Sequence, residues 1–300
     1  MTPSSVRVAS NIRGRGPDFM GWPLGSDPKL DDIRSSVQSS SAPLHWLSGA
    51  EPTLRADLPE LIEQLSPLST IGLDTDGLAL HSATVTNGLV HRGLQRVRIG
   101  LHSSQSDAHD WLVGLPGAAR RARRAIRTCV EAGLEVHGQI VISRPTTEHL
   151  PETIALLFRL GVRGIHLRRP YLSHSLDDRA LSISPRLGLL EPWLEAAVQE
   201  AAARPLVIHD IPPCIAPRLH ISMFQPEPWV LPEGVSRLSP ESGRGCPTCP
   251  GTGLCPGAPP DYVAHFGRNE LDSAGVLARD PTRRPAVPLE VASPPPPRAG

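Results

Sequence analysis

The cysteines near the carboxyl end of the chain have a spacing that suits a metal centre. Cys246 and Cys249 are separated by two residues, and Cys255 follows after five more, so a tight turn can bring two thiolates onto one metal. Cys214, in an Ile-Pro-Pro-Cys-Ile segment, could supply a fourth thiolate. Four thiolates satisfy either a tetrahedral zinc ion or an iron–sulfur cluster. The spacing therefore predicts a metal centre, with unpaired structural thiols as the alternative.

A turn of small residues is the second place where the sequence suggests chemistry. The turn consists of Ser48, Gly49, Ala50, Glu51 and Pro52. It follows a short apolar run and precedes the helical run Leu58–Leu65. At the carboxyl end of a parallel strand, such a turn exposes backbone N–H and C=O groups to a ligand. Small residues also form ordinary turns between a strand and a helix, so both interpretations stay open.

The elements that must position these residues alternate between strands and helices, which predicts an α/β fold around a parallel sheet. The clearest helix is Ala118–Ala132, where Cys129 lies on the apolar stripe as a core residue and Gly133 ends the helix. Further helices are expected at Pro151–Leu160 and Pro185–Ala203. The predicted strands are Leu44–Leu47, Thr70–Leu73, Arg96–Leu101, Glu135–Ile142, Gly164–Leu167 and Leu206–Ile208. We therefore expect a partial (β/α)6 barrel.

Composition limits the classes of partner. The 30 lysines and arginines balance 30 aspartates and glutamates, so no bulk positive field attracts nucleic acid. No segment approaches the roughly 20 apolar residues that cross a bilayer, and the first residues contain no signal-peptide pattern. We therefore expect a cytoplasmic protein with neither nucleic acid nor a membrane as its partner. In a reducing compartment the five cysteines suit metal binding or the core better than disulfides.

Several motifs resemble the radical S-adenosylmethionine (radical SAM) superfamily in order and spacing. Ser48-Gly-Ala-Glu-Pro52 resembles the G-G-E-P turn that ends the second barrel strand in that family. Thr75-Asp-Gly77 is similar to the T-N-G after the third strand, and Ile99-Gly-Leu-His-Ser103 is similar to the end of the fourth. Gly114-Leu-Pro-Gly-Ala118 resembles the family's G-x-P-G-A run. The resemblance extends from about Leu44 to Arg169 and implies a radical-SAM-like barrel.

The resemblance implies a set of residues that would contact S-adenosylmethionine (SAM). Ser103 could hydrogen-bond its carboxylate, with a structural role as an equal alternative, and Arg144 could clamp a carboxylate, although an ordinary loop arginine is favoured. Adjacent His109 and Asp110 do not face one another on a helix, so a turn or capping role is favoured for them. The implied SAM contacts are Ser48, Gly49, Ala50, Glu51, Pro52, Asp76, Ser103 and Arg144.

The carboxyl-terminal quarter resembles the extension of some radical SAM members, in which an auxiliary [4Fe–4S] cluster is bound. The matching residues are Pro213-Cys214, Cys246-x2-Cys249-x5-Cys255-Pro-Gly257, Tyr262, Phe266-Gly267 and Glu270-Leu271. The resemblance favours an iron–sulfur cluster over zinc at Cys214, Cys246, Cys249 and Cys255. Zinc remains the alternative metal.

The sequence departs from the family where the catalytic cluster should form. Radical SAM enzymes hold that cluster through C-x3-C-x2-C in the loop after the first strand, whereas this chain has Ser10, Gly14 and Pro17 at those positions. None of these side chains ligates iron as a thiolate does, and the first 128 residues contain no cysteine. We therefore predict that the chain does not cleave SAM, and we predict no catalytic residue.

The resemblance divides the chain into four regions. Residues 1–43 form an irregular segment with a degenerate first strand and cluster loop, and residues 44–210 form the barrel. Residues 211–274 form a small irregular cysteine-containing extension, and residues 275–300 form a disordered proline-rich tail, because four consecutive prolines and polar residues leave little to bury.

Three functions are compatible with these expectations. The first is a degenerate radical SAM protein that retains the auxiliary cluster, with SAM as a further candidate ligand. It would act as a partner of a second radical SAM protein, or as a subunit that binds a peptide or small-molecule substrate. The second is an active radical SAM enzyme whose cluster ligands come from elsewhere. The third is a zinc-binding, non-enzymatic interaction module.

Overall fold

The structure, a computed structural model, describes residues 4–9, 28–49, 51–170, 182–225, 255 and 257–272. Several residues singled out from the sequence lie outside this description, as does the proline-rich tail from residue 275. These residues are Ser10, Gly14, Pro17, Ala50, Cys246 and Cys249.

The strands of the described residues form one parallel sheet of eight, in which every neighbour in space is also a neighbour in sequence. This order is the one that repeated strand–helix–strand units produce. The strands are β1 (Ser4–Ala9), β2 (Leu44–Gly49), β3 (Thr70–Thr75), β4 (Leu94–Gly100), β5 (Glu135–Val141), β6 (Gly164–Arg168), β7 (Leu206–His209) and β8 (Phe224–Gln225).

Helices occupy most of the connections between consecutive strands. They are α1 (Leu30–Gln38), α2 (Leu58–Leu65), α3 (Ala83–His91), α4 (Ser106–Val113), α5 (Ala118–Glu131), α6 (Leu150–Arg159), α7 (Glu191–Ala201), α8 (Pro260–Phe266) and α9 (Asn269–Asp272). The longest of these, α5, has 14 residues. Within the described part of the chain, the helices lack the combination of length and apolarity that a membrane span needs.

The expected partial α/β barrel is confirmed, and its six predicted strands correspond to β2–β7. Strand β1 lies in the region expected to hold a degenerate first strand, and the structure adds the short β8; these two strands lie at the two edges of the sheet. The helix predicted over Pro185–Ala203 is too long, because α7 begins at Glu191 after a separate 3-10 turn at Leu187–Leu189. Pro192 explains this start, since proline inside a helix lacks the N–H for the preceding turn and clashes with it.

One face of the sheet is apolar and packs against the helices. Leu73, Ile99, Ile140 and Leu167 are fully buried there, and they belong to the single large hydrophobic cluster described for the protein. Alternate positions on a strand point to opposite faces, so this apolar face takes every second residue. Helix α5 contributes the buried Cys129, and burial raises the pKa of its thiol to about 12, which confirms the expected core position.

The other face of the sheet, here called the inner face, is polar. The Arg98 guanidinium lies 4.4 Å from the centre of the Trp46 ring and forms a buried ion pair with Asp74. Gly72 faces Trp46 so closely that a Cβ at this position would lie 2.5 Å from the indole. The indole therefore fits only because residue 72 has no side chain.

Gly72→Ala should destabilise the protein, because the added methyl group overlaps the Trp46 indole. We expect the free energy of unfolding to fall by about 1–3 kcal/mol, the usual range for overpacking. Urea denaturation of the wild type and of Gly72→Ala measures this difference in free energy of unfolding. Gly88→Ala is the matched control, since a Cβ there meets only the flexible Arg92 side chain at 3.9 Å. Because Gly88 lies within a helix, the control should gain about 0.5–1 kcal/mol. An unchanged stability in Gly72→Ala would contradict this packing.

Candidate functional site

The carboxyl ends of the strands lie at one edge of the sheet, because all of the strands are parallel. In folds of this class, ligands bind at this edge. We call the loops there the barrel mouth, and their described residues are 48–49, 51–53, 75–78, 102–104, 143–147, 168–170 and 209–212. The sequence-predicted residues Ser48, Gly49, Glu51, Pro52, Asp76, Ser103 and Arg144 all lie in these loops.

Glu51 ties the ends of β2 and β3 together. Its carboxylate accepts hydrogen bonds from the Thr53 backbone N–H at 2.9 Å, the Thr75 hydroxyl at 2.8 Å and the Asp76 backbone N–H at 2.6 Å. The side chain is buried, with 2% of the residue exposed. A buried carboxylate is stable when such donors satisfy its oxygens. Glu51 therefore holds the two loops in place, and its carboxylate contacts protein donors.

Asp76 and Gly77 shape the second of these loops. The Asp76 carboxylate accepts a hydrogen bond from the Leu78 backbone N–H at 2.7 Å, which closes a local turn. Gly77 has φ of +76°, and a Cβ there would lie 2.8 Å from Ile99. The structure thus brings Asp76 next to Glu51 and directs its backbone N–H toward that carboxylate.

The remaining predicted contacts differ in their surroundings. Ser48 is buried, and its Oγ has no hydrogen-bond partner among the described residues. Gly49 has φ of +129°, a conformation that side chains disfavour. The Ser103 hydroxyl accepts from the Gln105 backbone N–H at 3.0 Å, which gives it a structural partner at the start of α4. Arg144 is exposed, as an ordinary loop arginine would be.

His102 and His109 form a buried, uncharged pair beside the mouth. Nδ1 of His109 accepts a hydrogen bond from the His102 backbone N–H at 3.1 Å. Burial lowers the pKa of both rings, that of His109 to about 4. Asp110 accepts from the backbone N–H groups of Gly117 and Ala119, so it caps the start of α5. The expected turn or capping role is thus confirmed for Asp110.

Sequence reasoning missed the charged groups of the inner face. Arg98 donates to both carboxylate oxygens of Asp74, with 2.8 Å between Nη2 and Oδ2. The signal was present, because polar residues recur at alternate positions of strands that otherwise read as apolar, as in Glu135, His137 and Gln139. In a parallel sheet with both faces covered, this period of two indicates a polar lumen.

The carboxyl-terminal residues dock onto the barrel through a buried ion pair. Arg169, directly after β6, donates to both carboxylate oxygens of Asp261 on α8, with 2.7 Å between Nη1 and Oδ2. The Tyr262 hydroxyl accepts from the Leu187 backbone N–H at 2.9 Å and donates to Glu270. These contacts fix residues 257–272 against the mouth end of the barrel.

Two of the four predicted metal ligands are described. Cys214 lies in a 3-10 turn shortly after β7, and this turn packs against α9. The Cys255 sulfur accepts a hydrogen bond from the Gly257 backbone N–H at 3.3 Å. N–H···S bonds of this kind accompany thiolates in iron–sulfur sites. The docking of residues 257–272 therefore brings the segments that carry both cysteines to one part of the barrel.

Comparisons with known proteins found one partly matching group of relatives and several structures with the same fold. No family model matches the sequence. A probable GTP 3',8-cyclase of Saccharolobus solfataricus is 33% identical over 124 residues, which cover 40% of this chain and 39% of the cyclase. The chain thus matches about two fifths of the length of that relative.

Two solved structures share the fold. SuiB of Streptococcus suis superposes with a TM-score of 0.56 at 13% identity, covering 75% of this chain and 49% of SuiB. A radical SAM methyltransferase from Sphaerobacter thermophilus gives a TM-score of 0.52 at 14% identity, covering 69% of this chain and 65% of the methyltransferase. Other SuiB structures contain the precursor peptide SuiA or S-adenosylmethionine.

The chain is thus similar to a probable GTP 3',8-cyclase over 124 residues, and its barrel shares the fold of a radical SAM methyltransferase. Strand β1 pairs with β2 so that Ala9 lies beside Gly49. The chain therefore leaves β1 at the barrel mouth, where the family's cluster loop begins. The residue that follows is Ser10, and the donor set Ser10, Gly14 and Pro17 offers no thiolate. These residue types do not fit a cluster that needs three thiolates.

Glu51→Gln should loosen the mouth of the radical SAM barrel. The amide keeps one acceptor oxygen but replaces the other with an NH2 group, which faces donors it cannot accept from. We expect the free energy of unfolding to fall by about 1–3 kcal/mol, as for a buried donor left unsatisfied. Urea denaturation measures the change, with the exposed Glu148→Gln as the control. Equal effects of the two substitutions would exclude the proposed tie between the loops.

The stability of the protein should fall in mild acid because of its buried histidines. The pKa of His109 is about 4 in the folded chain, against an ordinary value of 6.5. Between these two pH values the unfolded state binds more protons, so this contribution is complete above pH 6.5 and is lost as the pH falls toward 4. Burial also lowers the pKa values of His102, His137 and His166, which adds to the same trend.

Urea denaturation midpoints measured at several pH values between about 7.5 and about 4.5 test this linkage. His109→Asn keeps an acceptor for the His102 N–H but does not titrate, so its stability should decline less steeply than that of the wild type. His91→Gln changes an exposed histidine on α3 and should follow the wild-type curve. Parallel curves for all three proteins would refute the role of His109.

Proposed function

We propose that this radical SAM chain has lost the catalytic [4Fe–4S] cluster and binds a single auxiliary iron–sulfur cluster through Cys214, Cys246, Cys249 and Cys255. It then serves as the partner of a second radical SAM protein, or as a subunit that binds a peptide or small-molecule substrate. A cluster bound by these cysteines would supply electron transfer or a fixed metal centre at the barrel mouth. The chain's own residues would hold the ligand and order the loops.

The observation that carries this proposal is the course of the chain at the end of β1. Because Ala9 is in register with Gly49, β1 ends at the barrel mouth, and the three thiolates of radical SAM enzymes follow the first strand in sequence. The sequence provides Ser10, Gly14 and Pro17 there, and its first cysteine is Cys129, which is buried in the core. Iron in a cluster requires thiolates or comparable donors, so the absence of cysteine argues against reductive cleavage of SAM.

The ordered mouth supports a retained binding role. Glu51 holds the shape of the mouth loops with a buried carboxylate, and the half-buried Asp110 caps the start of α5, although neither group belongs to a cysteine cluster. Buried polar groups with such partners preserve one defined conformation. A barrel whose cofactor chemistry is lost can therefore still present a shaped site, since the protein's own contribution is binding and orientation.

The names of the comparison proteins suggest two ligand classes. The relative from Saccharolobus is a probable GTP cyclase, and one structure of SuiB contains a precursor peptide. We extend these classes to the chain as a small molecule or a peptide bound at the mouth. The polar inner face, with Arg98 and its partner Asp74 near the centre, suits a polar ligand better than an apolar one.

Metal analysis of protein prepared anaerobically with iron and sulfide tests the proposal. We expect about four irons per chain, the content of one [4Fe–4S] cluster, brown colour and no 5′-deoxyadenosine from SAM. Cys255→Ser should lose the iron because it removes one thiolate. Cys129→Ala is the matched control and should keep it, since Cys129 lies in the core.

Each other outcome replaces the proposal with a stated alternative. About eight irons together with SAM cleavage would mean an active enzyme whose cluster ligands come from elsewhere. A colourless protein with one zinc would mean a zinc-binding, non-enzymatic interaction module. Iron retained in Cys255→Ser would exclude this cysteine from the centre.

A further inference from the structure

Three buried histidines form a hydrogen-bonded row across β5, β6 and β7. His209 Nε2 lies 2.9 Å from His166 Nδ1, and His166 Nε2 lies 3.3 Å from His137 Nδ1. His137 Nε2 lies 2.9 Å from a carboxylate oxygen of Glu135. The His166 and His209 rings are nearly parallel, with 7° between their planes and 5.2 Å between their centres. We call these four residues the histidine row.

The row runs along the strands from the amino ends of the sheet to its carboxyl ends. Glu135 is the first residue of β5, at the edge opposite the mouth, and its side chain is 24% exposed. His209 is the last residue of β7 and lies at the mouth. The three histidines between solvent and mouth are each no more than 8% exposed. The row is therefore a polar connection along the inner face of the sheet, from the amino end of β5 to the carboxyl end of β7.

The carboxylate at one end fixes the direction of every hydrogen bond. Burial raises the pKa of Glu135, but the hydrogen bond from His137 and the charge of Arg96 together lower it below its ordinary value, so the group is an anion. It accepts from His137 Nε2–H, which makes His137 Nδ1 an acceptor for His166 Nε2–H. His166 Nδ1 then accepts from His209 Nε2–H. These hydrogen bonds give the three rings one common tautomer, in which Nε2 carries the proton and Nδ1 of His209 is the acceptor end of the row.

The charges around the row keep its rings neutral. Burial lowers the pKa of His137 and lowers that of His166 well below its ordinary value, and Arg98 on β4 adds to both effects. Arg96 on β4 and Arg163 before β6 act on Glu135. Asp74 on β3 is paired with Arg98, and Arg168 on β6 is in register with His209.

We propose that the histidine row conducts protons between solvent at Glu135 and a ligand bound at the barrel mouth. The part of this proposal that concerns the barrel mouth rests on the proposed function, in which the mouth binds a ligand. The inference adds a proton donor and acceptor, His209, to a site whose loops otherwise only hold shape. The ligand served by this row is one that gains or loses a proton on nitrogen or oxygen.

The transfer balances without another reagent. A proton from the ligand binds Nδ1 of His209, whose Nε2 proton passes to Nδ1 of His166. The Nε2 proton of His166 passes to Nδ1 of His137, and the Nε2 proton of His137 passes to the Glu135 carboxylate, which releases it to water. One proton has then moved from the mouth to solvent along the inner face, and each ring has changed to its other tautomer. The reverse sequence delivers a proton to the ligand and restores the starting state.

A metal site does not explain the row. Ring nitrogens that bind one metal each lie about 2.0–2.1 Å from it and turn their lone pairs toward it. Here the nitrogens are turned toward one another in hydrogen bonds, and the described residues contain no group of three or more potential ligands arranged to hold a metal. Neighbouring positions on the other face of these strands are apolar, so packing alone does not require imidazoles.

Solvent exchange of the imidazole N–H of His166 tests the row in the full-length chain labelled with 15N-histidine. If protons pass through Glu135, Glu135→Gln should slow this exchange about a hundredfold, because Gln keeps an acceptor oxygen but cannot take up a proton. Backbone amide exchange in β6 should stay unchanged. The exposed Glu131→Gln is the matched control and should leave the exchange of His166 at the wild-type rate.

A second pair of variants keeps the test decisive if Glu135→Gln does not fold. His137→Gln interrupts the same path and should slow exchange at His166, whereas His209→Gln should not, because the path to Glu135 remains. An unchanged rate in Glu135→Gln or His137→Gln would overturn the proposal. A change in the exchange rate of the His166 N–H that is matched by the exchange of the β6 backbone amides would also overturn it, since a matched change indicates local opening of the strand. Iron analysis of the same preparations reports separately on the proposed function.

Discussion

Burial of ionisable groups on the inner face of a parallel sheet is the constraint on which the rest of this structure depends. A charge removed from water is stable only when an opposite charge and hydrogen bonds compensate it, and otherwise the group becomes neutral. Arg98 meets this condition with Asp74, and Arg169 meets it with Asp261. The histidines meet it by losing their charge. The inner face can therefore be polar without destabilising the barrel.

The same constraint explains how the barrel mouth keeps its shape. Backbone N–H groups in loops have no partner strand, so buried side chains must satisfy them. Glu51 does so for the loops after β2 and β3, and Asp110 does so for the start of α5. These acidic residues are motif residues in the sequence, yet in the structure their oxygens contact the chain itself. A motif can thus mark a loop shape as well as a ligand contact.

The sequence predicted those features that depend on local periodicity. The run of α5 and the strands β2–β7 follow from apolar spacing, because burial of one face imposes that spacing. The ion pair of Arg98 with Asp74 and the row from His137 to His209 could not be predicted in the same way. Both depend on the register between strands, which places residues 24 to 43 positions apart in contact. The helix predicted to start at Pro185 starts later, at Glu191, because the prediction left out the effect of Pro192 on the helix.

The pairing of Arg169 with Asp261 joins positions 92 residues apart in the sequence. Breaking such a buried pair leaves an uncompensated charge, which costs about 3–5 kcal/mol. Together with the Tyr262 contacts, it makes residues 257–272 an integral part of the barrel's cooperative unit. A single proteolytic nick between residues 225 and 257 would consequently leave two fragments that co-purify and melt together, like the halves of a split protein.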